Sequence, residues 1–155
     1  MLVDDLRAQV AICLMERNSS LKASDVEDFV ESYLDTAVEN VRIGDPDDPD
    51  AEMSDYIPDD CRGWHDETID AAIRQGVDFL SDCCVMIDCC NHSRGFPMRD
   101  LAQMFFYSRN GYGSGEGFWP EGGGCGHCSG PLQTYCENSG KANLTMNRAR
   151  FLVWK

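Results

Sequence analysis

Residues 45 to 60, DPDDPDAEMSDYIPDD, carry eight Asp or Glu and three Pro. Proline lacks a backbone donor and pushes its predecessor out of the helical region, so no long helix crosses this segment and it reads as an exposed connector. Regular elements have to lie on its two sides. So many carboxylates invite a calcium reading, but the calcium-loop spacing, with its central Gly and closing Glu, is absent.

Upstream, Val3, Leu6, Val10, Ile12 and Leu14 recur at roughly helical spacing, which predicts a helix over 3–17 ending at the Asn18, Ser19, Ser20 cluster. A second helix is predicted from Ser24 to Gly44. Ser24 and Glu27 form a capping box, and Val26, Phe29, Val30, Tyr33, Leu34, Ala37, Val38 and Val41 trace one apolar stripe. Downstream of the connector, Ile69, Ala72, Ile73, Val77, Leu80, Cys84 and Ile87 keep the same period and predict a helix over 66–90.

Beyond Gly95 and Pro97 the texture changes. Leu101 to Tyr107 is dense and aromatic and reads as a strand, Arg109, Asn110 and Gly111 read as a hairpin turn, and Phe118 and Trp119 begin the return. Residues 131–137 read as a short helix with Gly140 as its cap, and 142–146 and 150–154 as two strands joined at Asn147 and Arg148. The predicted fold is therefore α+β, with two to three N-terminal helices packed on one face of a small C-terminal antiparallel sheet. At 155 residues the chain fits a single domain, 1–155, composed of an acidic helical half (1–90) and a Gly/Cys-rich, mostly β half (91–155).

Charge follows the same division. Residues 1 to 90 hold 23 Asp/Glu against 6 Lys/Arg, and residues 91 to 155 hold 4 against 7, giving the net −14 of the whole chain. Such a field repels phosphates, so direct nucleic-acid binding through the N-terminal half is disfavoured and a partner protein with a basic surface is favoured. The alternative is that the acidity only confers solubility. Two sets of carboxylates are candidate contacts: Asp45, Asp47, Asp48 and Asp50 on the connector, and Asp28, Glu31, Asp35 and Glu39 on the second helix. No stretch approaches the ~20 apolar residues of a membrane span, and Asp4 and Asp5 interrupt any leader-like start, so the expected location is cytoplasmic. In that reducing compartment the nine cysteines are expected as thiols or metal ligands rather than disulfides.

At residues 105–119, FFYSRNGYGSGEGFW, the sequence resembles a widespread group of small bacteriophage proteins of unassigned function whose hallmark reads DFWLTRNGHGAGFWD. Arg109, Asn110 and Gly111 match outright, as do Gly117, Phe118 and Trp119, while Phe105, Phe106 and Ser108 stand where the hallmark has Phe, Trp and Thr. In outline the likeness runs over residues 25–155. Met104 and Tyr112 replace the hallmark's Asp and His, and Pro120 its last Asp; two residues are inserted before the closing GFW. The resemblance implies a phage origin and no established reaction, and the lost Asp and His leave the motif a structural or partner-binding role here.

Other candidate sites are few. Cys125 and Cys128, in CGHC, are spaced to grip one tetrahedral ion, with Cys136 as a third ligand and Cys89, Cys90, His92 or His127 as a fourth; zinc is the cofactor this pattern suits. Free thiols and a redox pair are the alternatives. The run GYGSGEG fits neither phosphate-binding glycine pattern. His65 reads as a surface histidine before a helix, with no triad around it. Arg109, beside the aromatic pair, is expected to anchor a partner or, the preferred reading given the opposite charges of the two halves, to pair with a carboxylate of the helical half. The leading expectation is a non-enzymatic phage accessory protein that binds and inhibits a host protein through its acidic surface, in one version by mimicking nucleic-acid charge. The rival is a small zinc-dependent enzyme or zinc-stabilised nucleic-acid module centred on Cys125 and Cys128.

The rival carries its own test. With a structural zinc, protein purified without added metal holds about one zinc per chain by elemental analysis, and Cys125→Ser loses both the metal and thermal stability. Metal-free protein with an unchanged melting temperature rejects the site.

Overall fold

A computed structural model describes residues 3–88, 97–112, 117 and 129–155. Helix α1 (Leu6–Glu16) turns Leu6, Val10, Cys13 and Leu14 inward. Ile12 lies on the opposite flank and is exposed, so it does not belong to the inward stripe. Helix α2 (Ala23–Glu39) buries Val26, Phe29, Val30, Tyr33, Leu34 and Ala37, as the periodicity predicts. Its ends differ from prediction. Lys22 is the N-cap and no side chain caps the helix, which leaves Ser24 and Glu27 inside the first turns rather than in a capping box. At the other end Asn40, not Gly44, terminates it, with the Asn40 Nδ2 donating to the Thr36 carbonyl at 2.8 Å.

The connector crosses the surface in turns, pinned by reciprocal backbone bonds between Ile43 and Ser54 of 2.8 and 2.7 Å. Helix α3 (Asp66–Asp82) begins at His65, whose Nδ1 accepts from the Glu67 amide at 3.1 Å. Its buried face includes Ile69, Ala72, Ile73, Val77, Phe79 and Leu80. Gly76 lets it approach α2 closely, since a Cβ there would stand 3.2 Å from both Phe29 and Val30. The helix breaks at Cys83 and residues 84–88 are helical again, while the remainder of the predicted segment lies outside the described residues.

The largest correction concerns 101–111. This segment is a helix, α4 (Met98–Asn110), and Arg109–Asn110–Gly111 is its C-terminus rather than a hairpin turn. Leu101, Ala102, Phe105, Phe106 and Arg109 fall on one helical face, and burying that face against α2 outweighs the strand preference of the aromatic residues. Gly111, at φ +73°, takes the left-handed cap conformation that costs glycine nothing, and the Tyr112 amide closes onto the Tyr107 carbonyl at 3.1 Å. The Phe105 ring meets Phe29, Tyr33 and Phe79 at centroid distances of 5.9, 5.5 and 4.7 Å. Phe106 is also fully buried. Phe118 and Trp119 lie outside the described residues.

Helix α5 (Ser129–Asn138) is followed by strands β1 (Leu144–Met146) and β2 (Leu152–Trp154), paired antiparallel with Thr145 opposite Val153. The strands are shorter than predicted. The Ala142 backbone is bonded to Asn110 instead, and Arg150 turns left-handed at φ +70°. Residues 62–65 run alongside β2, with Arg62 N to Arg150 O at 2.7 Å and Leu152 N to Gly63 O at 2.8 Å. The chain is thus α+β, but its two three-residue strands make no layer for helices to pack on. Helix α2 takes that role, meeting α1, α3 and α4.

Phe105→Ala or Phe106→Ala removes a ring from a site with at most 1% exposure, so each is expected to cost about 3–5 kcal/mol in denaturant unfolding. Met15→Ala, at 77% exposure, serves as the control and is expected to stay within about 0.5 kcal/mol of wild type.

Candidate functional site

Three groups of residues carried the functional expectations, and the structure treats them differently. The first is the hallmark triplet. Arg109 is only 5% exposed and makes four hydrogen bonds. Its Nε donates to the Gly140 carbonyl at 2.8 Å, one terminal nitrogen to the Tyr33 hydroxyl at 2.9 Å and the Gln75 Oε1 at 2.6 Å, and the other to the Ser139 carbonyl at 2.9 Å. None of these acceptors is a carboxylate, which corrects the expected pairing with the acidic half. The carbonyls just past the C-terminus of α5 supply the negative end of a helix dipole instead. The guanidinium also stands 5.3 Å from the centre of the Phe105 ring.

Asn110 works on the adjacent strand of chain. Its Nδ2 donates to the Ala142 carbonyl at 3.1 Å and its Oδ1 accepts from the Ala142 amide at 2.8 Å, a side-chain imitation of a β-bridge. With Gly111 capping α4, all three residues of the triplet serve architecture. Burial pushes the Tyr33 phenol up, against the opposing effect of Arg109, so the hydroxyl beside the guanidinium remains a neutral phenol.

The second group is the cysteines. Cys125 and Cys128, with the fourth-ligand candidates Cys89, Cys90, His92 and His127, lie outside the described residues. Cys136 has no exposed surface, and burial first and the neighbouring Cys83 second push its thiol up. Cys83 is pushed up to about 12 by burial, with Asp82 adding to the effect. A metal at Cys136 would have to displace a proton held by burial. Among the described residues no three His, Cys, Asp or Glu gather into a metal-binding group.

The third group is the carboxylates, and here the two candidate sets separate. On the connector, Asp47 and Asp45 approach the Arg150 guanidinium at 2.8 and 3.5 Å, joined by Asp60 at 3.6 Å. Asp45 Oδ1 also accepts from the Asp47 amide at 2.9 Å, and Asp48 Oδ1 from the Asp50 amide at 3.1 Å. Much of this set is engaged within the chain. On α2, by contrast, Asp28, Glu31, Asp35 and Glu39 follow one another at steps of three, four and four residues along one flank and line a groove of about 370 Å³. Pro97, Met98, Arg99 and Gln103, at the start of α4, form its other wall. The Ser32 hydroxyl donates to the Arg99 carbonyl at 2.9 Å and fastens the walls together. No salt bridge among the described residues involves any of the four carboxylates.

Sequence reasoning named the α2 row but not the groove, whose second wall was read as a strand and its approach. It missed Arg150 as the connector's partner, because nothing local links residues a hundred positions apart. No helix among the described residues is long and apolar enough to cross a membrane. Neither family models, curated proteins nor solved structures yield a match to the chain.

Arg109→Ala leaves two carbonyls, a phenol and an amide without their charged donor, so a loss of roughly 3 kcal/mol is expected in denaturant unfolding. Arg109→Lys keeps the charge without the planar fork and is expected to recover less than half of it. A wild-type midpoint for Arg109→Ala would remove the residue from its structural role.

Proposed function

We propose that this is a non-catalytic binding protein that captures a basic partner protein through the carboxylate row of α2. The observation that carries the reading is the groove in which Asp28, Glu31, Asp35 and Glu39 stand together without a salt bridge among the described residues. Four like charges on one helix flank repel each other and weaken the isolated helix. A row of this kind has its use in meeting an oppositely charged surface, where the repulsion is relieved and the encounter is steered. The rigid support is equally relevant: the inner face of the same helix is packed at zero exposure at Val26, Phe29 and Val30, so the backbone carrying the row needs no ordering on binding.

The resemblance to phage proteins makes the partner a host protein and the setting the cytoplasm of an infected cell. Nucleic-acid mimicry is the sharper form of the proposal. Along the axis of α2 the carboxylates recur about every 4.5–6 Å at 1.5 Å per residue, against ~3.4 Å of helix axis per phosphate of one DNA strand, so measured along the axis the row is a sparse version of a phosphate line. A host factor that grips phosphates with Lys and Arg is the class of target this favours, and occupying its nucleic-acid site would inhibit it.

The test is affinity capture from host lysate with identification by mass spectrometry, followed by binding measurements on the captured protein. Changing Asp28→Asn, Glu31→Gln, Asp35→Asn and Glu39→Gln together is expected to weaken binding at least tenfold and to flatten its salt dependence, since exposed charges are screened beyond about 8 Å at physiological ionic strength. Unaltered affinity and salt slope in this variant would reject the row as the contact.

A further inference from the structure

Among the large apolar side chains of the described residues that are left in water, Tyr56 is the most open, at 81% exposure, and it belongs to the acidic connector. Its ring makes no aromatic contact and its hydroxyl no hydrogen bond among the described residues, whereas Tyr33, Tyr107 and Tyr135 all pack against other rings. Met53, three residues earlier, is 46% exposed and lies across Gly44. The backbone carrying both is held: Ser54 is bonded reciprocally to Ile43, the Tyr56 amide donates to the Ser54 hydroxyl at 3.1 Å, and Ile57 packs on the core. Around them Asp50, Glu52, Asp55 and Asp59 are exposed, and among the described residues only Asp55 of these four has a salt bridge, to Arg42 at 3.6 Å.

Charge decides what can cover such a patch. Anionic lipid headgroups and nucleic-acid phosphates are repelled by this rim, and so is the same rim on a second copy of the chain. A protein surface with an apolar recess bordered by Lys and Arg meets both the ring and its surroundings, and a tyrosine on a preordered segment is the residue type that dominates such contacts. We infer that Tyr56, assisted by Met53, is the apolar anchor by which the connector docks into a cation-rimmed recess of a partner protein. This rests on the acidic-surface reading above and adds a second, apolar contact to it.

Two synthetic peptides of equal positive charge separate the contributions: an arginine-rich peptide containing two leucines, and the same peptide with serines in their place. Both are titrated by fluorescence anisotropy against wild type, Tyr56→Ala and Tyr56→Phe at low and physiological salt. The expected result is that wild type binds the leucine peptide at least tenfold more tightly than the serine peptide, that Tyr56→Ala abolishes the difference, that Tyr56→Phe retains most of it, and that serine-peptide affinity is the same in all three. A leucine preference that is absent in wild type, or that survives in Tyr56→Ala, overturns the anchor while leaving the acidic-surface reading intact. Failure of wild type to bind the serine peptide at low salt overturns that reading, and the anchor with it. Because Tyr56 is outside the core, circular dichroism of the variants is expected to match wild type.

Discussion

A positive charge sits at the meeting point of α2, α3, α4 and the end of α5, and the arrangement of those elements depends on it. Removing a guanidinium from water carries a penalty of several kcal/mol, which is offset only if its donors find acceptors in fixed places. For Arg109 those places are Tyr33 on α2, Gln75 on α3 and the two carbonyls at 139 and 140. Shifting any one element strands a buried donor, so the hydrogen bonds select one mutual placement from the many that apolar packing alone would tolerate. The absence of a carboxylate among the acceptors leaves Asp28, Glu31, Asp35 and Glu39 of α2 outside this network, exposed to water.

That separation lets α2 do two jobs with two faces. Its inner residues are fully buried against the neighbouring helices, while its outer carboxylates line an open groove. The connector is organised by the opposite logic. Three of its aspartates converge on Arg150, an ion-pair network that is individually weak at this exposure but ties the connector to the turn of the β-hairpin. Of two acidic segments that look alike in composition, one is largely satisfied within the chain and the other is not, and this difference directs the functional reading to α2.

Periodicity made α2 and α3 legible, because each buries one continuous stripe whose spacing is visible in any fifteen residues. The hairpin was legible as well, through alternating apolar residues on either side of Asn147. Helix α4 was not. Phe105, Phe106 and Tyr107 favour strands by local preference, and Arg–Asn–Gly is an equally good hairpin turn or helix C-terminus until one knows what lies before it. The capping box at Ser24 failed for a similar reason: the motif was present, but the helix began two residues earlier than a Ser24 cap requires, with Lys22 in the capping position.

The sequence by itself determined the apolar faces, the acidic break at 45–60 and the row of carboxylates on α2, because each is written in neighbouring residues and follows from helix geometry or proline chemistry. Only the tertiary structure decided which charges are paired and which are open. Arg109 reaches acceptors on α2, on α3 and in the turn after α5, Arg150 reaches Asp45 and Asp47 more than a hundred positions away, and the groove beside α2 exists only because α4 lies there. Electrostatic pairing depends on distance in space, and distance along the chain carries almost no information about it.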